Sequence, residues 1–91
     1  MAHIHDDKNA ILVRIKKIRG QTNAIEKALE DGSDCVAVLQ QVAAIRGAVN
    51  GLMNKVLEDH IRQHIGQIDL TKEERESEVE ALISILSSYL K

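Results

Sequence analysis

The sequence contains no proline. Proline breaks a helix because it lacks the backbone donor and clashes with the preceding turn. A chain without one is free to run in long helices, and few other folds of this size manage without it. The rest of the composition points the same way. Of the 91 residues 44% are apolar, yet the aromatic share is 1%: one Tyr, no Phe and no Trp. A core of Ile, Leu, Val and Ala from so short a chain is small, so oligomerisation is expected. A β-sandwich, a doubly wound sheet and a disulfide scaffold are all disfavoured. One cysteine cannot form an internal disulfide, which fits a reducing cytoplasm or a reactive site. The formal net charge of -2 excludes a globally basic nucleic-acid binder. Apolar runs of only a few residues and a start without an apolar signal segment predict no membrane span and a cytoplasmic location.

Two breaks divide the chain. Asp31-Gly32-Ser33-Asp34 is a turn cluster, after which Ser33 or Asp34 can cap a helix. Gly66 to Thr71 is the second break, and Thr71 followed by Glu74 reads as a capping box. The result is an all-α chain, one domain over 1–91, with helices at roughly 6–30, 34–65 and 71–90. In the first helix Ile11, Ile15, Ile18, Thr22, Ile25 and Leu29 form a heptad-like stripe. Beside it lie Arg14, Lys16, Lys17 and Arg19. Arg14, Lys17 and Gln21 share one face, so positive charge is local although the chain is acidic. The second helix is apolar on most sides, which means burial on several sides. Two neighbours cannot cover it, so a second copy is expected to. Its middle is small (Ala43, Ala44, Gly47, Ala48, Gly51) and admits a close neighbour. The third helix carries Val79, Leu82, Ile83, Leu86 and Leu90 on one side.

Cys35, His60 and His64 project onto one stripe of the second helix, the two histidines about 20° to either side of the cysteine. His60 and His64 are four apart, so their rings are neighbours and can hold one ion. Cys35 stands 25 residues before His60, about 37 Å along a helix, and cannot join them within one chain. Two copies of the helix running antiparallel would bring Cys35 of one beside His60 and His64 of the other, making two identical sites. One thiolate and two imidazoles form a transition-metal set. His3 lies just ahead of the first helix, and removal of Met1 would free the α-amine of Ala2 to join it. His5 is a further candidate. A nitrogen-rich site with one sulfur suits Ni(II) or Co(II), with Zn(II) a further candidate. Each residue also has a plainer use. Cys35 can be a small buried hydrophobe, the histidines ordinary helix residues, and the basic run a solvated face.

The run from Cys35-Val-Ala-Val-Leu-Gln-Gln41 through Ile45-Arg-Gly47 to Gly51-Leu-Met53 resembles the CsoR/RcnR/FrmR family of bacterial repressors. Ile18-Arg-Gly-Gln21 and Tyr89-Leu-Lys91 are similar to the same family, and the likeness spans essentially the whole chain. The resemblance implies a three-helix protomer, an antiparallel helical-bundle dimer and a dimer-of-dimers tetramer. It implies operator DNA as partner, bound by the apo form through Arg14, Lys16, Lys17, Arg19, Arg46 and Lys91, largely at the backbone. No membrane or further protein partner is implied. The nickel/cobalt branch uses an N-terminal His, a Cys and two His, as His3, Cys35, His60 and His64 stand here. Copper sensors carry a second cysteine where this chain has His64, and Cu(I) prefers thiolates. The formaldehyde branch relies on the N-terminal amine and the cysteine, here Ala2 and Cys35, usually with Pro where Ala2 stands. The stretch from Leu12 to Gly20 resembles that branch more. No phosphate loop, triad or paired carboxylates point to an enzyme.

Overall fold

The computed structural model describes residues 8–66 and 68–90. Three helices carry them: α1 (Lys8–Glu30), α2 (Cys35–His60) and α3 (Lys72–Tyr89). Among the described residues there is no strand. α1 ends where the sequence supplies Gly32. That glycine takes φ +77°, a left-handed conformation that side chains with a Cβ resist. Gly32 N–H then reaches the Leu29 carbonyl at 3.2 Å and Ser33 N–H the Ala28 carbonyl at 2.9 Å, closing a Schellman motif over the last turn. α2 starts two residues later, with Asp34 accepting from Ala37 N–H at 2.8 Å. Asp34, not Ser33, is the cap.

α1 runs antiparallel to α2. On α2, Val38, Gln41, Ile45, Ala48 and Leu52 are at least half-covered, at alternating spacings of 3 and 4. On α1 the covered positions are Ile11, Ile18, Gln21, Ile25 and Ala28. This differs from the expected stripe by one side of the helix. Ile15 and Leu29 stay 37% and 63% exposed. α1 has two apolar sides that share Ile11, Ile18 and Ile25, and only one of them meets α2. The other is left open together with Leu12.

The third helix also lies antiparallel to α2. Its start is fixed by a complete capping box: Glu74 N–H donates to Thr71 Oγ1 and Thr71 N–H donates to the Glu74 carboxylate, both at 3.0 Å. Its end is tied by Tyr89, whose hydroxyl donates to Asn50 Oδ1 in the middle of α2. The molecule measures 56 × 29 × 14 Å. A thickness of 14 Å is little more than one helix, so the chain is a single layer with no second layer over it. Ile11 is accordingly the only buried apolar residue among those described, and Val36 and Leu39 of α2 are 63% and 61% exposed.

The structure qualifies two further expectations. The second helix does not run unbroken to residue 65: Ile61–Ile65 is a π turn, with Gly66 N–H bonded to the Ile61 carbonyl at 2.8 Å. And the helical stretch Cys35–Ile65 contains an 18-residue window with a mean hydropathy of 1.3, by length and composition apolar enough to cross a membrane. Run lengths miss this, because isolated polar residues such as Gln40, Gln41 and Arg46 interrupt the runs while Ala and Val keep the mean high.

Candidate metal centre and nucleic-acid face

His60 closes α2 and His64 sits inside the π turn. A π turn is wider than an α turn, so the projection used for the sequence does not hold across it. The rings are neighbours all the same: their centroids are 4.5 Å apart and their planes 16° from parallel. α3 covers them. Glu78 brings Oε2 to 3.0 Å from His64 Nδ1 and 3.7 Å from His60 Nε2. Each of the three side chains offers one donor atom within 4.8 Å of the other two. They are half-buried, with side-chain exposures of 26%, 16% and 32% for His60, His64 and Glu78.

The direction of the His64 contact decides what the ring can do. A carboxylate accepts, so Nδ1 carries the proton, and neutral His64 then leaves the Nε2 lone pair free. That nitrogen is buried and has no hydrogen-bond partner, and the same holds for His60 Nε2. A buried polar atom without a partner is costly. Two imidazoles on stacked rings and one carboxylate, with one donor atom of each gathered within 4.8 Å, make a cluster whose chemistry fits a divalent transition ion. The π turn is itself held from α3: Arg75 donates to the Ile65 carbonyl.

Glu78 was not among the residues singled out from the sequence. The signal was faint but present. Thr71 and Glu74 fix where α3 begins, and the short connection from Gly66 forces α3 back along α2. That places an acid about two turns into α3 opposite the histidines.

Cys35 is a free, exposed thiol at the first position of α2. The 26 residues from Cys35 to His60 are one continuous helix, so Cys35 stands about 37 Å from the histidines of its own chain. Ala2, His3 and His5 lie outside the described residues.

Of the basic residues, Arg14, Lys16, Lys17 and Arg19 are exposed on α1 and Arg46 on α2. Lys91 lies outside the described residues. Arg14 and Gln21 are not equivalent to Lys17. Gln21 is turned into the α1–α2 seam, where Gln21 and Ala24 face Gln41 and Ala44 across a small cavity. The guanidinium of Arg14 lies against Gly51 of α2. Arg46 flanks an open cleft with Asn50, Asn54 and Tyr89.

Residues 7–88 match the family described as metal-sensitive transcriptional repressor. Over the full length of both chains, the sequence is 52% identical to an uncharacterized protein encoded in the bioA 5' region of Serratia marcescens. It is 47% identical to the transcriptional repressor RcnR of Citrobacter koseri, again over both full lengths. Among solved structures, a variant of the formaldehyde-responsive regulator FrmR from Salmonella enterica serovar Typhimurium superposes with a TM-score of 0.88. In that variant a glutamate is replaced by histidine. The match is 42% identical and covers 96% of this chain and 98% of that one.

Proposed function

From the premise that this chain belongs to the metal-sensitive transcriptional repressor family, we propose that it holds operator DNA in the apo form and releases it on binding Ni(II) or Co(II). Zn(II) is the competing ion. Repressors of this family bind DNA and assemble; they are not enzymes. The observation that carries the finer reading is the stacked His60–His64 pair met by Glu78 Oε2 at 3.0 Å from His64 Nδ1 and 3.7 Å from His60 Nε2, with one donor atom of each side chain within 4.8 Å of the others. The proposed donor set is His60 and His64 of one copy with Cys35 of a second, completed by His3 and the Ala2 amine. Its many nitrogens and single sulfur suit Ni(II) and Co(II) better than Cu(I). The assembly that supplies the second cysteine is a homotetramer built from antiparallel dimers. The flat single layer and the open apolar sides of α1 and α2 support it, and they account for the membrane-like hydropathy of α2. The whole chain serves as one sensing and DNA-binding domain in the cytoplasm.

A bound divalent ion supplies the bond energy that gathers these donors. Every other part of the response belongs to the chain. The segment carrying His3 precedes α1, so drawing it toward His60 and His64 shifts α1. α1 carries Arg14, Lys16, Lys17 and Arg19, whose spacing is matched to phosphates together with Arg46 and Lys91. Moving α1 spoils that match, and by linkage DNA weakens the affinity for metal by the same factor.

The second reading is aldehyde sensing, favoured by the exposed Cys35 thiol and the likeness to FrmR. There the Cys35 thiol and the Ala2 amine would add to formaldehyde, forming S–C and C–N bonds to one carbon and losing water. The test is release of a fluorescent duplex, selected by this chain from random-sequence DNA, by Ni(II), Co(II), Zn(II), Cu(I) and formaldehyde in parallel. Release by Ni(II) or Co(II), abolished in His64→Ala, is the expected result. Release by formaldehyde alone, unaffected by His64→Ala and abolished in Cys35→Ala, would transfer the chain to the aldehyde reading.

A further inference from the structure

We infer that Gly51 is a positioning residue for the DNA face, because its missing side chain gives the Arg14 guanidinium a seat on α2. The inference rests on the reading of Arg14 as a phosphate contact. Arg14 is three residues after Ile11 and four before Ile18, both covered by α2. It therefore stands in the α1–α2 seam, where its neighbours in register are Ile11, Ile18 and Gln21. A cation at such a position has to carry its charge out across the facing helix. It crosses at Gly51. A Cβ built on Gly51 would lie 2.8 Å from Arg14 Nη1 and 3.8 Å from Cζ, closer than Cβ atoms approach other atoms. Gly47, one turn earlier, meets nothing within 4 Å. Glycine weakens a helix relative to alanine, and at Gly51 the chain's own contacts supply a reason for it.

The seat holds a long, rotamer-rich side chain beside Lys17 before DNA arrives. Ordering such a side chain on binding is a cost that prior ordering removes. The atom displaced by an added methyl is the tip of a flexible side chain, so α1 and α2 keep their packing and only the guanidinium moves. Gly51 is nine residues before His60, remote from the proposed metal donors.

The test is a double-mutant cycle on the full chain. The parent, Gly51→Ala, Arg14→Ala and the double variant are titrated with the same selected duplex at several salt concentrations. Size, helicity and Ni(II) affinity are measured alongside. Gly51→Ala is expected to weaken DNA binding about tenfold and to flatten the slope of log affinity against log salt, as Arg14→Ala does. The double variant is expected to bind as Arg14→Ala alone, because both changes act on one contact. Ni(II) affinity should be that of the parent, and helicity should be no lower than the parent's. Loss in Arg14→Ala without loss in Gly51→Ala, tighter binding in Gly51→Ala, or losses that add in the double variant would each overturn the seat while leaving Arg14 a DNA contact. An Arg14→Ala variant with unchanged affinity and slope would overturn both readings.

Discussion

Glu78 changes what His64 can be. Four residues after His60 on an apolar helix, His64 has an ordinary structural use as well as a ligating one. The carboxylate at 3.0 Å from Nδ1 selects the tautomer whose Nε2 lone pair is free, and that nitrogen has no other partner. Acids that orient metal-bound histidines in this way contribute tenfold to a hundredfold in affinity. Glu78→Gln keeps the size of the side chain and loses its charge. It should lower Ni(II) affinity by roughly 10- to 100-fold with helicity intact, read by competition against a chromophoric chelator. An unchanged affinity would mean that Glu78 is merely a neighbour.

α3 brings Glu78 and Arg75 to the proposed site, and its first turn fixes where it starts. Thr71 and Glu74 satisfy each other's backbone donors. Arg75 then caps the π turn and Glu78 meets the histidines. Thr71→Ala should cost about 1 kcal/mol in urea denaturation and loosen both contacts. The cap is also acid-sensitive. The Thr71 backbone N–H, and next its hydroxyl, hold the exposed Glu74 carboxyl below its ordinary value of 4.5. A carboxyl lowered in the folded state stabilises above its unfolded pKa, and that contribution disappears as pH falls through the folded value. The parent's advantage over Glu74→Ala should therefore be complete above about pH 4.5 and shrink in more acid solution. Denaturation midpoints of the two chains across that range check it. An advantage independent of pH would assign the effect to helix propensity.

A layer 14 Å thick cannot enclose a core, so the functional unit is larger than the chain. The continuous helix between Cys35 and His60 makes the same point chemically: one copy holds both halves of the proposed site at opposite ends of α2. Subunit mixing tests this directly. Cys35→Ala and His64→Ala homo-oligomers should each lack tight Ni(II) binding. Co-refolding them should restore one site per mixed dimer, built from the intact Cys35 of one copy and the intact His64 of the other. No recovery on mixing would rule out a shared site.

The sequence by itself determined the helices, the breaks between them, the Thr71 capping box and the proximity of His60 to His64, and it narrowed the cap of α2 to Ser33 or Asp34. These follow from chemistry within a few residues: donors and acceptors near in the chain, a glycine where φ turns positive, rings one turn apart. It also placed Cys35 out of reach of its own histidines, since helix rise is a local property. Tertiary structure decided the rest. α1 has two apolar sides that read alike in one dimension, and only packing selects the side with Ile11, Ile18 and Gln21 and leaves Ile15 and Leu29 open. The π turn is met by Arg75 of α3, which donates to the Ile65 carbonyl, a contact no local pattern encodes. Glu78 is one acid among several on a polar helix until α3 folds back and sets it against His64. The seat of Arg14 on Gly51 exists only across two helices. Local energies write the elements, whereas contacts between residues far apart in the chain choose the faces, and the proposed site is made of such contacts.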